Sequence, residues 1–393
     1  MMIDSASALQ LLLDRTPTTV RTESVLLEHS ARRVLAQDIL ADRHYPPFHR
    51  SAMDGFAVRF DDLIASRSLS IFATILAGDD PPTSVPPGSA VRIMTGAAVP
   101  EDLDTVVKVE ESQVTGDHVV LSPAKKIWQN IAKRGEDAEP GDQIVLAGRI
   151  IDASVQAAAA SCGQDSMRVL APRIHLITTG NEIVEPGAVP RAVEIRNSNR
   201  YTIASLFSYY ALHPATVSHV ADDPAELKKR LESSLDSELL VLSGGVSAGE
   251  ADYLPGVMEK CGVEKLFHGV SIRPGKPVWA GFFDSCMVIA LPGNPVSTHV
   301  TARLFVEPVL RKILGLRREQ YPFKRLAKSI AKNHKLQEYL RVTLREDDTL
   351  ESVPHNGSGD AFASVRATGL AVMPPQSSSI PVGSPVEYIP FLW

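Results

Sequence analysis

Three short turns between positions 239 and 297 carry the groups best suited to chemistry on a phosphate-like anion. Ser243-Gly244-Gly245-Val246-Ser247 follows the apolar run LLVLS. Its glycines let backbone N–H groups approach an oxyanion closely, and its serines add hydroxyl donors. An ordinary strand-to-helix loop uses glycine for steric reasons alone, so this loop by itself is weak evidence. Arg273-Pro274-Gly275-Lys276-Pro277 presents two cations on a turn stiffened by prolines, with little entropy left to lose. The plainer reading is a rigid surface hairpin with solvated cations. Pro292-Gly293-Asn294-Pro295 opens a helix, whose N-terminal dipole favours an anion. Simple helix entry needs only Asn294 and Pro295.

Carboxylates accompany these turns. Glu182 lies in Thr179-Gly180-Asn181-Glu182 at the end of one strand-like run, Asp222 ends a second, and Asp252 follows a third. Ligands of open α/β sheets sit at the carboxyl ends of the strands, where three carboxylates are suited to holding Mg²⁺ through one or two direct contacts plus waters. Asp222 reads equally well as a helix cap. Asp54, in a polar turn after Pro46-Pro47, and Thr95-Gly96 are ambiguous by themselves. No Ser/His/Asp or Cys/His nucleophile pattern is present, and the sequence contains neither a Walker A loop nor a GxGxxG fingerprint.

The elements that must position these residues are readable from periodicity. From position 167 strands alternate with helices: RIHLITTG, then a helix over 197–212 capped by Asn197 or Ser198, then TVSHVA. A helix capped by Asp222 or Asp223 follows, with Pro224 in its first turn, then LLVLS, a helix over 252–261 closed by Gly262, and a long helix from Asn294-Pro295 to Leu314-Gly315. This rhythm implies a mainly parallel sheet with right-handed crossovers. Upstream, 5–13 reads as an amphipathic helix with Asp4 or Ser5 capping. Positions 25–39 fit a strand followed by a short helix, or one helix. Asp54-Gly55 reads as a turn, and short proline-punctuated strands up to about 150 suggest a β-rich insertion. Positions 154–161 read as a helix on alanine content. After Tyr321-Pro322 the pattern is again strand and turn, giving a small C-terminal β domain.

The expected fold is therefore multidomain α/β plus β. Its parts are an N-terminal helical and linker domain (1–45 and 143–171), an inserted β-rich domain (46–142), a central α/β domain (172–318) and a C-terminal β domain (319–393). A length of 393 residues accommodates several domains, and 44% apolar residues supply several cores. A net charge of −6 without a long basic block disfavours nucleic acid as a partner. Cys162, Cys261 and Cys286 lack metal-like spacing, which suits a reducing compartment. The N-terminus lacks signal-peptide features and no apolar run reaches membrane-spanning length, so the expectation is a cytoplasmic protein without a membrane partner.

At these motifs the chain resembles the MoeA family of molybdopterin molybdenumtransferases, related to the E domain of gephyrin. The likeness rests on PPFHRSAMDGFAVR (46–59), RIMTGAAVP (92–100), RGEDAEPGD (134–142), TTGNEI (178–183), SGGVSAGEADY (243–253), RPGKP (273–277) and LPGNPVS (291–297), in order and over nearly the whole length. It implies four domains, an adenylyltransferase-like central domain and a homodimer whose sites are completed by the partner's β-rich domain. It also implies Mg²⁺-dependent insertion of molybdate into adenylylated molybdopterin, with release of AMP. Carried over residue by residue, Asp54, Asp252, Lys276 and Glu182 act in catalysis, and Asp222 and Asp252 hold the metal. Thr95, Arg134, Asp137, Ser243, Gly244, Gly245, Ser247, Arg273, Pro292, Gly293, Asn294 and Pro295 bind the substrates. The molybdopterin adenylyltransferase is a further implied partner. The expectation is that these distant turns converge into one pocket.

The chain departs from the family pattern in places. His49 and Phe56 stand where an acidic or amide residue and a tyrosine are usual; Gly269 and Arg273 stand where lysine is found. Arginine keeps the charge but changes the geometry. Two other readings are a molybdopterin adenylyltransferase, which typically reads GGTG where this chain has GGVS and lacks the flanking β domains, and a gephyrin-like scaffold without catalysis. Retention of Asp54, Asp252 and Lys276 argues against the scaffold.

Overall fold

The protein is described from a computed structural model covering residues 2–246, 253–357 and 359–392. The chain divides into two compact units: 1–37, 148–153 and 166–393 form one, and 38–147 with 154–165 form the other.

In the first unit, a six-stranded sheet runs in the spatial order Thr216–Val220, Ile174–Thr179, Leu239–Ser243, Cys286–Leu291, Trp279–Phe283, Glu264–His268. The first four strands are mutually parallel; Trp279–Phe283 runs against both its neighbours. Five strands thus point the same way, and their carboxyl ends share one edge. Leu239–Ser243 and Cys286–Leu291 are buried along their whole length, as continuous apolar runs in a sheet covered on both faces must be. Asn197 caps the Ser198–Ser208 helix through the Arg200 amide. Asp223, not Asp222, caps Pro224–Glu232, its carboxylate accepting from the Ala225 and Glu226 amides, which leaves Asp222 for the cavity edge. Leu254–Lys260 is shorter than expected and stops at Gly262, whose φ of +83° suits glycine.

The long helix expected after Asn294-Pro295 is interrupted. Pro295–Thr301 passes into a π-turn, Ala302–Val306, before Glu307–Ile313 resumes. Pro308 has no N–H for the preceding turn and its ring would strike a carbonyl there; the wider π-turn accommodates it.

Near the N-terminus of this unit, Ser5–Arg15 is helical with Asp4 as its cap. The 25–39 segment is not helical. Thr22–Leu26 is a strand paired antiparallel with Ser166–Leu170, only a 3₁₀ turn follows, and Val34 and Leu35 bridge to Ile150 and Val169. Those two buried side chains satisfy their backbone by pairing across chain segments, which local periodicity cannot reveal.

The C-terminal strands close into a barrel: Gln337–Leu344, Thr349–Ser352, Phe323–Leu326, Pro385–Pro390 and Gly369–Met373, the last returning to the first. Ile272–Arg273 joins this sheet alongside Gln337 and Glu338. The RPGKP turn therefore follows a barrel strand and not a strand of the α/β sheet.

The second unit is β-rich, as expected. Its sheet runs Thr105–Lys108, Gly55–Val58, Ser89–Ile93, Ser68–Ile75, His118–Leu121, Ser112–Thr115. Gly55 is not the turn glycine that Asp54-Gly55 implied: it begins a strand. A Cβ there would lie 2.0 Å from the Val107 carbonyl oxygen, so close strand approach is what requires glycine. The helix near 154–161 spans Ala153–Ser161.

Candidate active site

At the carboxyl edge of the α/β sheet, the turns after Leu242 and Leu291 lie together. The Gly244 amide donates to the Leu291 carbonyl oxygen at 3.1 Å. A Cβ on Gly244, whose φ is +106°, would meet the Thr179 carbonyl oxygen at 2.6 Å and its Oγ1 at 2.7 Å. Only glycine lets three strand ends draw this close. Asn199, in the first turn of the Ser198–Ser208 helix, donates from Nδ2 to Ser243 Oγ at 2.9 Å and to the Gly293 carbonyl oxygen at 2.7 Å. Thr298 Oγ1 holds the Pro292 carbonyl oxygen at 2.6 Å, fixing the PGNP turn on its own helix.

These turns line a cavity of about 400 Å³. Of the residues expected to act together, it gathers Glu182, Asp222, Ser243, Gly244, Gly245, Pro292, Gly293, Asn294 and Pro295. The Glu182 carboxylate folds back over Gly180. Asp222 and Asn181 exchange hydrogen bonds: the Asn181 amide donates to Asp222 Oδ2 at 3.2 Å, and the Asp222 amide donates to Asn181 Oδ1 at 3.0 Å. The Tyr253 hydroxyl is pushed above its ordinary value by burial and by the Asp222 carboxylate beside it. Thr179 Oγ1 and Asn199 Oδ1 are buried and have no partner among the described residues. Two carboxylates and these oxygens are hard donors of the kind Mg²⁺ prefers. Among the described residues no three His, Cys, Asp or Glu side chains cluster as a metal site. Ser247 and Asp252 lie outside the described residues.

Arg273 and Lys276 line a different, adjoining cavity of about 230 Å³, which shares Pro277 with the first. One wall carries Arg273 and Lys276 of the RPGKP turn with Ser297 of the helix beside it; the other carries Glu338, Arg341 and His355 of the barrel. Arg341 is buried, and its Nη1 donates to the Asp360 carbonyl oxygen at 2.6 Å and to Ser364 Oγ at 3.2 Å. Burial, then the Arg341 charge, holds His355 below the usual imidazole value. Three cationic side chains, Arg273, Lys276 and Arg341, line this small volume beside one carboxylate, Glu338, an excess of positive charge that suits an anion. The expected single pocket is thus two, meeting at Pro277.

In the β-rich unit, Asp54 and Thr95 come together. The Thr95 amide and hydroxyl both donate to Asp54 Oδ1, at 2.7 and 2.8 Å. Those two bonds hold the Asp54 carboxyl below its ordinary value. Arg134 donates its backbone amide to His49 Nδ1 at 3.1 Å, and His49 packs at a tilt of 43° against Trp128, ring centroids 4.8 Å apart. Asp137 donates its amide to the Tyr45 carbonyl oxygen. Phe56 is fully buried, so its missing hydroxyl leaves no polar group in the core. Gly269 has φ +89°, a conformation in which lysine would be strained.

Sequence reasoning missed Asn199, Arg341 and His355. Asn199 reads as one more residue of a helix entrance, and Arg341 as an exposed position of an alternating strand.

Three family models cover most of the chain: "MoeA N-terminal region (domain I and II)" matches 3–163, "Probable molybdopterin binding domain" matches 175–312, and "MoeA C-terminal region (domain IV)" matches 324–391. The chain is 31% identical to the molybdopterin molybdenumtransferase of Haemophilus influenzae, over 97% of this chain and 96% of that one. It is also 31% identical to the enzyme of that name from Synechococcus elongatus, over 98% and 99% of the two chains. Among solved structures, a MoeA molybdopterin biosynthesis protein of Pyrococcus horikoshii superposes with a TM-score of 0.84 at 27% identity, covering 99% of each chain.

Proposed function

Since the chain belongs to the MoeA family, the molybdopterin molybdenumtransferases of molybdenum cofactor biosynthesis, we propose that it inserts molybdate into adenylylated molybdopterin and releases AMP with the help of Mg²⁺. The observation that carries this reading is the pair of cavities joined at Pro277. One is floored by glycine turns and a helix N-terminus and suits the phosphate and adenylyl groups of the pterin substrate. The other faces Arg273, Lys276 and Arg341 into a small volume and suits a tetrahedral dianion. Because both cavities share Pro277, this reading puts the oxyanion beside the bond that must break.

In this reading Glu182 and Asp222 would hold Mg²⁺ with Asp252, and the chemistry it would supply there is polarisation of the phosphoryl oxygens. Lys276 and Arg273 offset the negative charge that grows as the phosphoanhydride cleaves. Asp54, steadied by Thr95, stays ionised throughout the neutral range. Arg134 and Asp137 lie on the same β-rich unit and complete the proposed set. The reading includes a homodimer, four domains bounded near 46, 143, 172 and 319, a cytoplasmic setting, and a separate molybdopterin adenylyltransferase that supplies the substrate. Among the described residues, no helix is long and apolar enough to cross a membrane.

The test uses purified protein, Mg²⁺ and adenylylated molybdopterin, with AMP followed by chromatography. AMP release is expected to depend on molybdate, and Asp252→Ala is expected to abolish it. Release that ignores molybdate, or that survives in this variant, overturns the reading. Formation of adenylylated molybdopterin from ATP would instead favour the adenylyltransferase, and inactivity with all substrates the scaffold.

A further inference from the structure

We propose that Arg303 is a positioning residue for the oxyanion: it fixes the barrel wall of the cationic cavity against the wall that carries Lys276 and Ser297. The inference rests on the reading of that cavity as the molybdate seat.

Arg303 is completely buried in the π-turn, and each of its guanidinium nitrogens is engaged. Nε donates to the Pro390 carbonyl oxygen at 3.0 Å. Nη1 donates to Glu307 Oε2 at 2.9 Å and to the Tyr321 hydroxyl at 3.0 Å. Nη2 donates to Glu319 Oε2 at 2.7 Å. One side chain therefore ties its own helix, the linker into the barrel and the barrel's last strand.

Both cavity walls are referenced to this point. On the barrel side, Ile389 beside Pro390 is in register with Leu370, and Leu370 with Arg341. Arg303 thus grips the sheet two strands away from the cation that faces the cavity. On the α/β side, Val296 and Ser297 line the cavity from the same helical run. A Cβ on Gly275 would lie 2.3 Å from Thr301 Cγ2, so the RPGKP turn presses on that helix just before the π-turn.

The barrel has other attachments: the short Ile272–Arg273 ladder to Gln337 and Glu338, the Ser5 hydroxyl bonded to Gln337 and Tyr339, and the stack of His299 on Phe391. The ladder and the Ser5 bonds both fall on Gln337–Tyr339, at the start of the strand that carries Arg341. The Arg303 clamp adds a charged, directional hold on a different strand, Pro385–Pro390, and so fixes where Arg341 stands relative to Lys276 and Ser297. Burying an arginine and the equally buried Glu307 is an inefficient route to stability, because desolvation cancels most of the attraction. What the guanidinium fork supplies, and apolar packing does not, is directional contact to three segments at once.

The test compares Arg303→Met/Glu307→Gln, which keeps the buried charge balanced, with Arg303→Lys and Arg341→Ala in the full-length enzyme. In the double variant the half-saturating molybdate concentration is expected to rise about tenfold. AMP affinity and the rate at saturating molybdate are expected to stay within about twofold, and Arg303→Lys should recover part of the loss. An unchanged molybdate requirement, or an equal loss of AMP affinity, overturns the inference. Arg341→Ala separates the two levels: if it leaves the molybdate requirement unchanged, the reading of the cavity has failed instead. Should the double variant not fold, Glu319→Gln trims the clamp at a side chain that is 28% exposed. It is expected to raise the molybdate requirement about threefold, and no rise there overturns the inference equally.

Discussion

Asn199 Nδ2 stands 2.7 Å from the Gly293 carbonyl oxygen, spanning from the first turn of one helix to the entrance of another. The same nitrogen reaches Ser243 Oγ at 2.9 Å, so one amide holds the ends of two adjacent parallel strands at a fixed separation. Those strand ends carry the backbone donors of the larger cavity. Each neutral hydrogen bond is worth about 1 kcal/mol net, so losing both amounts to about 2 kcal/mol of preorganisation. Asn199→Ala is expected to weaken AMP binding about 10- to 30-fold, measured by titration calorimetry with Mg²⁺ present. Unaltered affinity would show that the strand ends hold their spacing without it.

Gly244→Ala attacks the same corner through the backbone. The position has φ +106°, and the added methyl would sit 2.6 Å from the Thr179 carbonyl oxygen. Backbone cannot swing aside as a flexible side chain can, so the strand ends must part. The expected result is a loss of about 2 kcal/mol or more in urea unfolding, together with loss of AMP release. A variant with wild-type stability would mean that the loop tolerates a different path.

The glycine turns were legible because their chemistry is local. Gly244 announces a close backbone approach, and the runs of buried strands fix which edge it shares with Gly293. Asn199 was not legible: its role exists only because Ser243 and Gly293, 44 and 94 positions away, arrive beside it. Arg341 was hidden for a related reason. It sits in a strand that alternates like any barrel strand, and only the pairing of Ile272–Arg273 with Gln337–Glu338 brings it opposite Lys276. The same pairing explains why one expected pocket is two. The turn at 273–277 belongs to the barrel edge, and periodicity alone assigns it to the nearer α/β sheet.

Asp54 gives a titration that can be followed directly. The Thr95 amide and hydroxyl stabilise its ionised form, so its folded pKa lies below the ordinary 3.8. A depressed carboxylate contributes stability that is present above its unfolded pKa and is lost as pH falls through the lower folded value. Thr95→Val removes the hydroxyl donor and keeps the amide. Carbon-detected NMR titration of the Asp54 carboxyl is expected to show its pKa moving up toward 3.8, with a smaller loss of stability below 3.8. An unmoved titration would show that the backbone bond alone sets the value.

His299 controls a different acid limb. It is 9% exposed, lies on the helix behind the cationic cavity, and stacks on Phe391 with ring centroids 4.3 Å apart. Burial, then the Arg341 charge, lowers its pKa to about 4 from the usual 6.5. Above 6.5 the imidazole is neutral in folded and unfolded chains alike, so no stability depends on pH there. Between 6.5 and about 4 the unfolded chain takes up a proton that the folded chain refuses, and stability falls as pH drops. Below about 4 both states are protonated and the loss levels off. A shift of this size corresponds to about 3 kcal/mol. His299→Leu keeps an apolar partner for Phe391 and has no proton to bind. Urea unfolding at pH 7.5 and 4.5 is expected to show a pH-dependent loss smaller by about 2 to 3 kcal/mol in the variant than in the native chain. Equal losses in both would mean that the imidazole takes its proton without leaving the stack, and that the burial read from the fold does not hold it neutral.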